Sequence, residues 1–150
     1  MENVKKINDE LTVAPQITQE QIQQAATEGY KSVLNLRSPE EKGFLNDEQQ
    51  QVSAIGLNYL NIPVKVDTIT ESEATEILRV IDELPKPALI HCGKALRAGA
   101  MALMNVATRQ GMTPEQAFEK AAEIGFDCSA NPKMKEFFKS YVEKHSKAAT

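Results

Sequence analysis

The chain has 150 residues, 41% of them apolar and 25% charged, which suits one globular domain with a single substantial core. No apolar run reaches the roughly eighteen residues a membrane helix needs. The balance of 17 Lys plus Arg against 21 Asp plus Glu, net charge -4, excludes a nucleic-acid protein that works by broad phosphate neutralisation.

The first segments, Val4 to Ile7 and Leu11 to Ala14, are separated by Asn8-Asp9-Glu10 and predict a small hairpin at a sheet edge. Thr18 with Gln21 forms a capping box, bracketed by Ile17 and Ile22 as a hydrophobic staple, and opens a helix that stops at Gly29. Ser32 to Leu36 reads as a strand. Asn46 is a weaker helix start, with a stop near Gly56, and Leu57 to Ile62 is a second strand. Thr70 with Glu73 opens a helix whose Ala74, Ile77, Leu78, Ile81 and Leu84 repeat at half-buried spacing and which ends before Pro85. Ala88 to His91 is a third strand. Ala98 to Val106, without a charge until Arg109, is a helix apolar almost all round and therefore buried. Thr113, Pro114 and Gln116 open the next helix, which runs to Gly125. Asn131-Pro132 starts the last, with Phe137, Phe138 and Tyr141 on its apolar side. Residues 131–150 carry five Lys and two Glu, read as that helix's solvated face. The alternation predicts a single-domain α/β fold with a central, mostly parallel sheet flanked by helices.

One constellation carries chemistry. After the third strand comes Cys92-Gly93-Lys94-Ala95-Leu96-Arg97, leading into the buried helix. Beyond the carboxyl end of a strand, unpaired amides and the positive end of a helix dipole favour an anion. A thiol placed there beside Lys94 and Arg97 is expected as the thiolate. Gly93 allows a backbone conformation that turns successive amides inward, and Arg97 can fork onto two oxygens of a tetrahedral anion. The chance reading of a lone cysteine, a small buried hydrophobe, is outweighed by His91, Cys92 and Arg97 standing together between strand and helix.

In these residues the chain resembles the cysteine-based phosphatases and rhodaneses, and more closely the DUF442 family of dual-specificity-phosphatase-like proteins. The resemblance covers nearly the whole chain: Ala14-Pro15-Gln16, Val33 to Glu41 with Gly43-Phe44, Tyr59 to Val64, and His91-Cys92 with Arg97. It implies a Cys92 thiolate that attacks phosphorus and a binding loop of His91, Gly93, Lys94, Ala95, Leu96 and Ala98 with Arg97. It also implies a carboxylic acid, here Asp67, that protonates the leaving group. The substrate it implies is a phosphate-containing protein or small molecule, with no cofactor, no nucleic acid and no membrane; it leaves the oligomeric state open. The loop departs from the familiar phosphatase pattern: Cys-x4-Arg rather than Cys-x5-Arg, with Ala98 where Ser or Thr usually follows the arginine. A loop of this length resembles that of rhodaneses, where the cysteine carries sulfane sulfur. Two alternatives therefore stand beside the phosphatase: a sulfurtransferase using a Cys92 persulfide, and a non-catalytic anion-binding or interaction module.

Arg37, at the end of the first central strand, is a candidate second anion clamp, against a structural pair with Glu40 or Glu41. Cys128 reads as an incidental loop thiol, with resolution of an oxidised Cys92 as the alternative. A zinc site from His91, Cys92 and Cys128 is disfavoured, because neighbouring strand residues point to opposite faces. His145 receives no role. With no signal-type stretch after Met1 to Lys6 and no disulfide framework, a reducing, cytoplasmic setting is expected.

Overall fold

A computed structural model describes residues 4–42, 44–65, 68–93, 96–125 and 132–145. Its centre is a five-stranded sheet of order β1-β2-β5-β3-β4, made by β1 (Lys5–Lys6), β2 (Leu11–Ala14), β3 (Ser32–Asn35), β4 (Asn58–Asn61) and β5 (Ala88–His91). β1 pairs antiparallel with β2; the other pairings are parallel. The expected hairpin is present, turned by Asn8, whose side-chain oxygen accepts the N–H groups of Glu10 and Leu11 at 2.8 and 2.9 Å. It does not hang at the edge as a unit. Only β1 is peripheral, whereas β2 lies against β5 and is buried throughout.

The six helices follow the punctuation in the sequence. Thr18, Thr70 and Thr113 each close the capping box in front of α1 (Gln19–Thr27), α3 (Glu71–Glu83) and α5 (Pro114–Glu123). Gly29 (φ 94°) and Gly125 (φ 78°) end α1 and α5 in the left-handed conformation that favours glycine. α2 (Glu48–Ala54) starts later than expected: Asp47 rather than Asn46 is its N-cap residue, and no side chain caps it. α6 spans Pro132–His145, and Asn131, its expected opening residue, lies outside the described residues. No helix among the described residues is long and apolar enough to cross a membrane.

α4 (Leu96–Gln110) is the axis of the larger core. Every residue from Ala98 to Thr108 is buried, because the helix packs on β2 and β5 on one side and on α3, α5 and α6 on the others. Ala98, Gly99, Ala100 and Ala102 keep its first turns slim enough to sit close to the sheet. Ile90 and Cys92 face this core; Leu89 lies in the smaller one, with Ile22, Ala25, Val33 and Val52 beneath α1 and α2. The strand leading to Cys92 is therefore covered on both faces, and its apolar Ala88-Leu89-Ile90 run reflects that position. Truncating Ile90 to Ala should lower stability by about 2–5 kcal/mol, and removing the cap with Thr70→Ala by about 1 kcal/mol, both read from urea unfolding.

Candidate active site

The ladder that builds the sheet continues past the strands and sets the start of the Cys92 loop. In register, His91 stands between Ala14 and Asn35. Beyond it, Cys92 N–H donates to Ala14 O at 3.3 Å and Leu36 N–H to His91 O at 2.9 Å. Pro15 has no N–H to give, so the next donor is Gln16, whose N–H reaches Gly93 O at 3.3 Å. The loop then turns into α4, whose residue Ala98 donates its N–H to Cys92 Sγ at 3.5 Å. Cys92 is fully buried, on the side of the sheet that faces α4.

Arg97 is held by one carboxylate. Its Nη1 and Nη2 donate to Glu41 Oε2 and Oε1 at 2.7 and 2.9 Å, a two-pronged fork, and Nη1 also donates to Val64 O at 3.0 Å. Among the described residues, Nε makes no hydrogen bond, leaving one edge of the guanidinium for an incoming anion. The pKa of Arg97 is raised, first by the bond to Glu41 and also by the nearby Cys92, so the group stays charged against its partial burial.

Glu41 also accepts from Arg37 Nε at 3.2 Å and from Ser38 N–H at 2.7 Å. These donors, Arg97 foremost, hold its carboxyl down at about 2. Arg37 is thus the partner of Glu41, one of the two carboxylates set against it as a structural alternative. It is nevertheless beside the loop: it donates to Gln16 Oε1 at 2.8 Å and to Lys42 O.

The φ of Gly93 lies outside the left-handed region. A Cβ there would lie 3.5 Å from Arg97 Nη2 and 3.7 Å from Arg37 Nε, ordinary van der Waals contact, so both guanidinium groups stand next to this position.

His91 turns to the other face, as alternation along a strand requires. Its Nε2 lies 2.6 Å from Glu48 Oε2, and both side chains are fully buried. Among the described residues no group of His, Cys, Asp and Glu could hold a metal. Ala98 stands in the first turn of α4 as expected, while Leu96, expected in the loop, opens that helix. Asp67, Lys94, Ala95, Cys128 and Gly43 lie outside the described residues. His145, given no role, has a structural one: it stacks on Tyr141 with centroids 4.2 Å apart, and its Nε2 lies 2.6 Å from Glu71 Oε1.

Residues 3–110 match the model of the family described as beta-lactamase hydrolase-like protein, phosphatase-like domain. The chain belongs to this family. It is 28% identical over 128 residues to a beta-lactamase hydrolase-like protein of Agrobacterium fabrum, covering 83% of this chain and 30% of that one. The chain thus spans less than a third of the length of the curated relatives it matches. A crystal structure of a DUF442 protein from Shewanella putrefaciens superposes with TM-score 0.80 at 21% identity, over 96% of this chain and 93% of that one. TpbA of P. aeruginosa, solved in complex with pTyr, gives 0.73 at 18% identity over 98% and 86%. The fold is that of these phosphatase structures, and the domain is phosphatase-like.

Because Glu41 is depressed from 4.5 to about 2, its contribution to stability is complete above about pH 4.5 and is lost as the pH falls toward 2. Allowing for solvent screening, that contribution is about 1–2 kcal/mol. Glu41→Gln should flatten this limb of the stability profile in acid unfolding followed by circular dichroism.

Proposed function

We propose that the protein is a cysteine-dependent phosphatase acting on a phosphomonoester. The observation that carries this reading is the convergence on Gly93: Arg97 and Arg37 both come within van der Waals reach of the loop position after Cys92. Two guanidinium groups share one carboxylate, leaving one positive charge to hold the Cys92 thiolate and the incoming anion.

In the first step the Cys92 thiolate attacks phosphorus. The P–O bond to the leaving group breaks as the P–S bond forms, and Asp67 gives its proton to the departing oxygen. In the second step water attacks phosphorus, Asp67 takes back a proton, and the P–S bond breaks to release phosphate and restore the thiolate. Arg97, kept in orientation by Glu41 and Val64 O, binds the non-bridging oxygens through its free edge. The phosphotyrosine seen with TpbA, on the same fold, supports a phosphate-bearing substrate and does not choose between a protein and a small molecule.

The length of the loop favours a second reading. Cys-x4-Arg, with Ala98 in place of a hydroxyl residue, suits a Cys92 persulfide: the thiolate takes the outer sulfur of thiosulfate, releasing sulfite, and cyanide removes it as thiocyanate. An aryl phosphate and a thiosulfate–cyanide mixture, each given to the wild type and to Cys92→Ser, separate the two. Phosphate release abolished in the variant is the expected result. Thiocyanate formation alone would establish sulfur transfer, and silence in both assays a binding module. Asp67→Asn should slow hydrolysis of esters with poor leaving groups by about 10²-fold or more while sparing good ones.

A further inference from the structure

Behind the Cys92 loop, on the face of the sheet covered by α2, lies a polar cluster that the chemistry above does not use. Glu48 and His91 have no exposed surface. A carboxylate withdrawn from water is costly unless donors surround it, and breaking such an arrangement is costlier than never having made it. Here Oε2 faces His91 Nε2 at 2.6 Å and Oε1 accepts Gln16 Nε2 at 2.9 Å. Tyr59 completes the cluster: its phenol is pushed up to about 12, chiefly by burial and also by the adjoining Glu48, so it stays protonated. Asn35 Nδ2 donates to the Tyr59 oxygen at 3.0 Å.

Two features tie this cluster to the loop. His91 Nδ1 is buried without a hydrogen-bond partner among the described residues, so the ring is oriented by Glu48 alone among polar groups, and His91 immediately precedes Cys92. Gln16 touches the loop directly. Its N–H takes Gly93 O, its side-chain oxygen takes Arg37 Nη1, and its side-chain amide binds Glu48 and Ile17 O. One continuous hydrogen-bonded path thus runs from His91 through Glu48 and Gln16 to Gly93 and to Arg37, behind and around the space where the two arginines meet.

We propose that Gln16 and Glu48 are positioning residues of the Cys92 loop, Glu48 setting the His91 ring at its base and the Gln16 side chain tying Glu48 to the Arg37 guanidinium beside Gly93. The proposal rests on the reading that this loop receives a phosphate-like anion. The Gln16 side chain accepts from Arg37 Nη1 with its oxygen and donates to Glu48 with its amide, so losing it frees both the cation beside the loop and the acid beneath it. Glu48 needs to be an acceptor of the right length, not merely a filler of volume.

Isothermal titration with tungstate, a phosphate analogue, well below the melting temperature of each variant tests this. Glu48→Ala and Gln16→Ala should each weaken tungstate binding about tenfold, and Glu48→Gln, which retains an acceptor oxygen, should restore affinity to within about threefold of wild type. A role confined to stability would lower the melting temperature and leave the affinity of folded protein unchanged. If Glu48→Ala does not fold, Gln16→Ala, at a half-buried position, carries the test. The rate of Cys92 alkylation by iodoacetamide, followed by peptide mass, needs no anion and should change at least about threefold in the same variants. Wild-type protein that binds no tungstate would overturn the phosphate reading. Folded alanine variants with unchanged alkylation rates, and with unchanged affinity wherever tungstate binds, would overturn the positioning role.

Discussion

The fork between Glu41 and Arg97 is the interaction on which the site depends. A guanidinium largely withdrawn from water must have a partner, and its partner decides which of its edges remains for a ligand. Glu41 takes the Nη1 and Nη2 side, Val64 O takes a further Nη1 proton, and among the described residues the Nε edge is left. The same carboxylate accepts from Arg37 and from the main chain at Ser38, so it fixes two cations and the segment after β3 together. Glu40, the neighbouring acid, accepts from the Ser38 hydroxyl instead.

The sheet explains why these groups meet. β5 lies between β2 and β3, and all three run parallel, so the segments after Ala14, Asn35 and His91 leave the sheet at the same edge. Gln16 follows the first, Arg37 and Glu41 the second, and Cys92 with Gly93 the third. β4 adds Val64 from the next position. Each functional residue is local to its own strand end, and the parallel register brings together groups that are tens of residues apart in sequence.

Much of this was legible in the sequence, for identifiable reasons. Capping boxes at Thr18, Thr70 and Thr113 are local codes whose donors and acceptors lie three residues apart, so they survive any tertiary context. The apolar stretch after Arg97 could be buried only at the centre. Pairings across the sheet were not legible in the same way. Glu41 and Arg97 are separated by 56 positions and Glu48 and His91 by 43; Glu41 stood out only as a neighbour of Arg37, and nothing beside Glu48 marks it among the 21 acidic residues of the chain. Glu48 is the harder case, because the first turn of a short, polar, glutamine-rich helix is where an acid is ordinarily solvated and interacts with the helix dipole.

The two helices beyond the stretch matched by the family model bear on the site through α4. α5 and α6 pack against α4 and against each other, with Phe138, Met134 and Val142 buried in the joint core and Phe118 against Phe138 at 5.3 Å between ring centroids. The Tyr141 hydroxyl joins α6 to α3 through Thr75 at 2.8 Å. These contacts lie at a distance from Cys92, yet they set the rigidity of the helix whose first turn supplies Arg97 and the Ala98 amide. A buried helix clamped on every side cannot shift along its axis without opening its packing, and interiors at crystal-like density resist that. The position of the Ala98 N–H relative to Cys92 Sγ is therefore governed as much by the aromatic residues of α6 as by the loop itself.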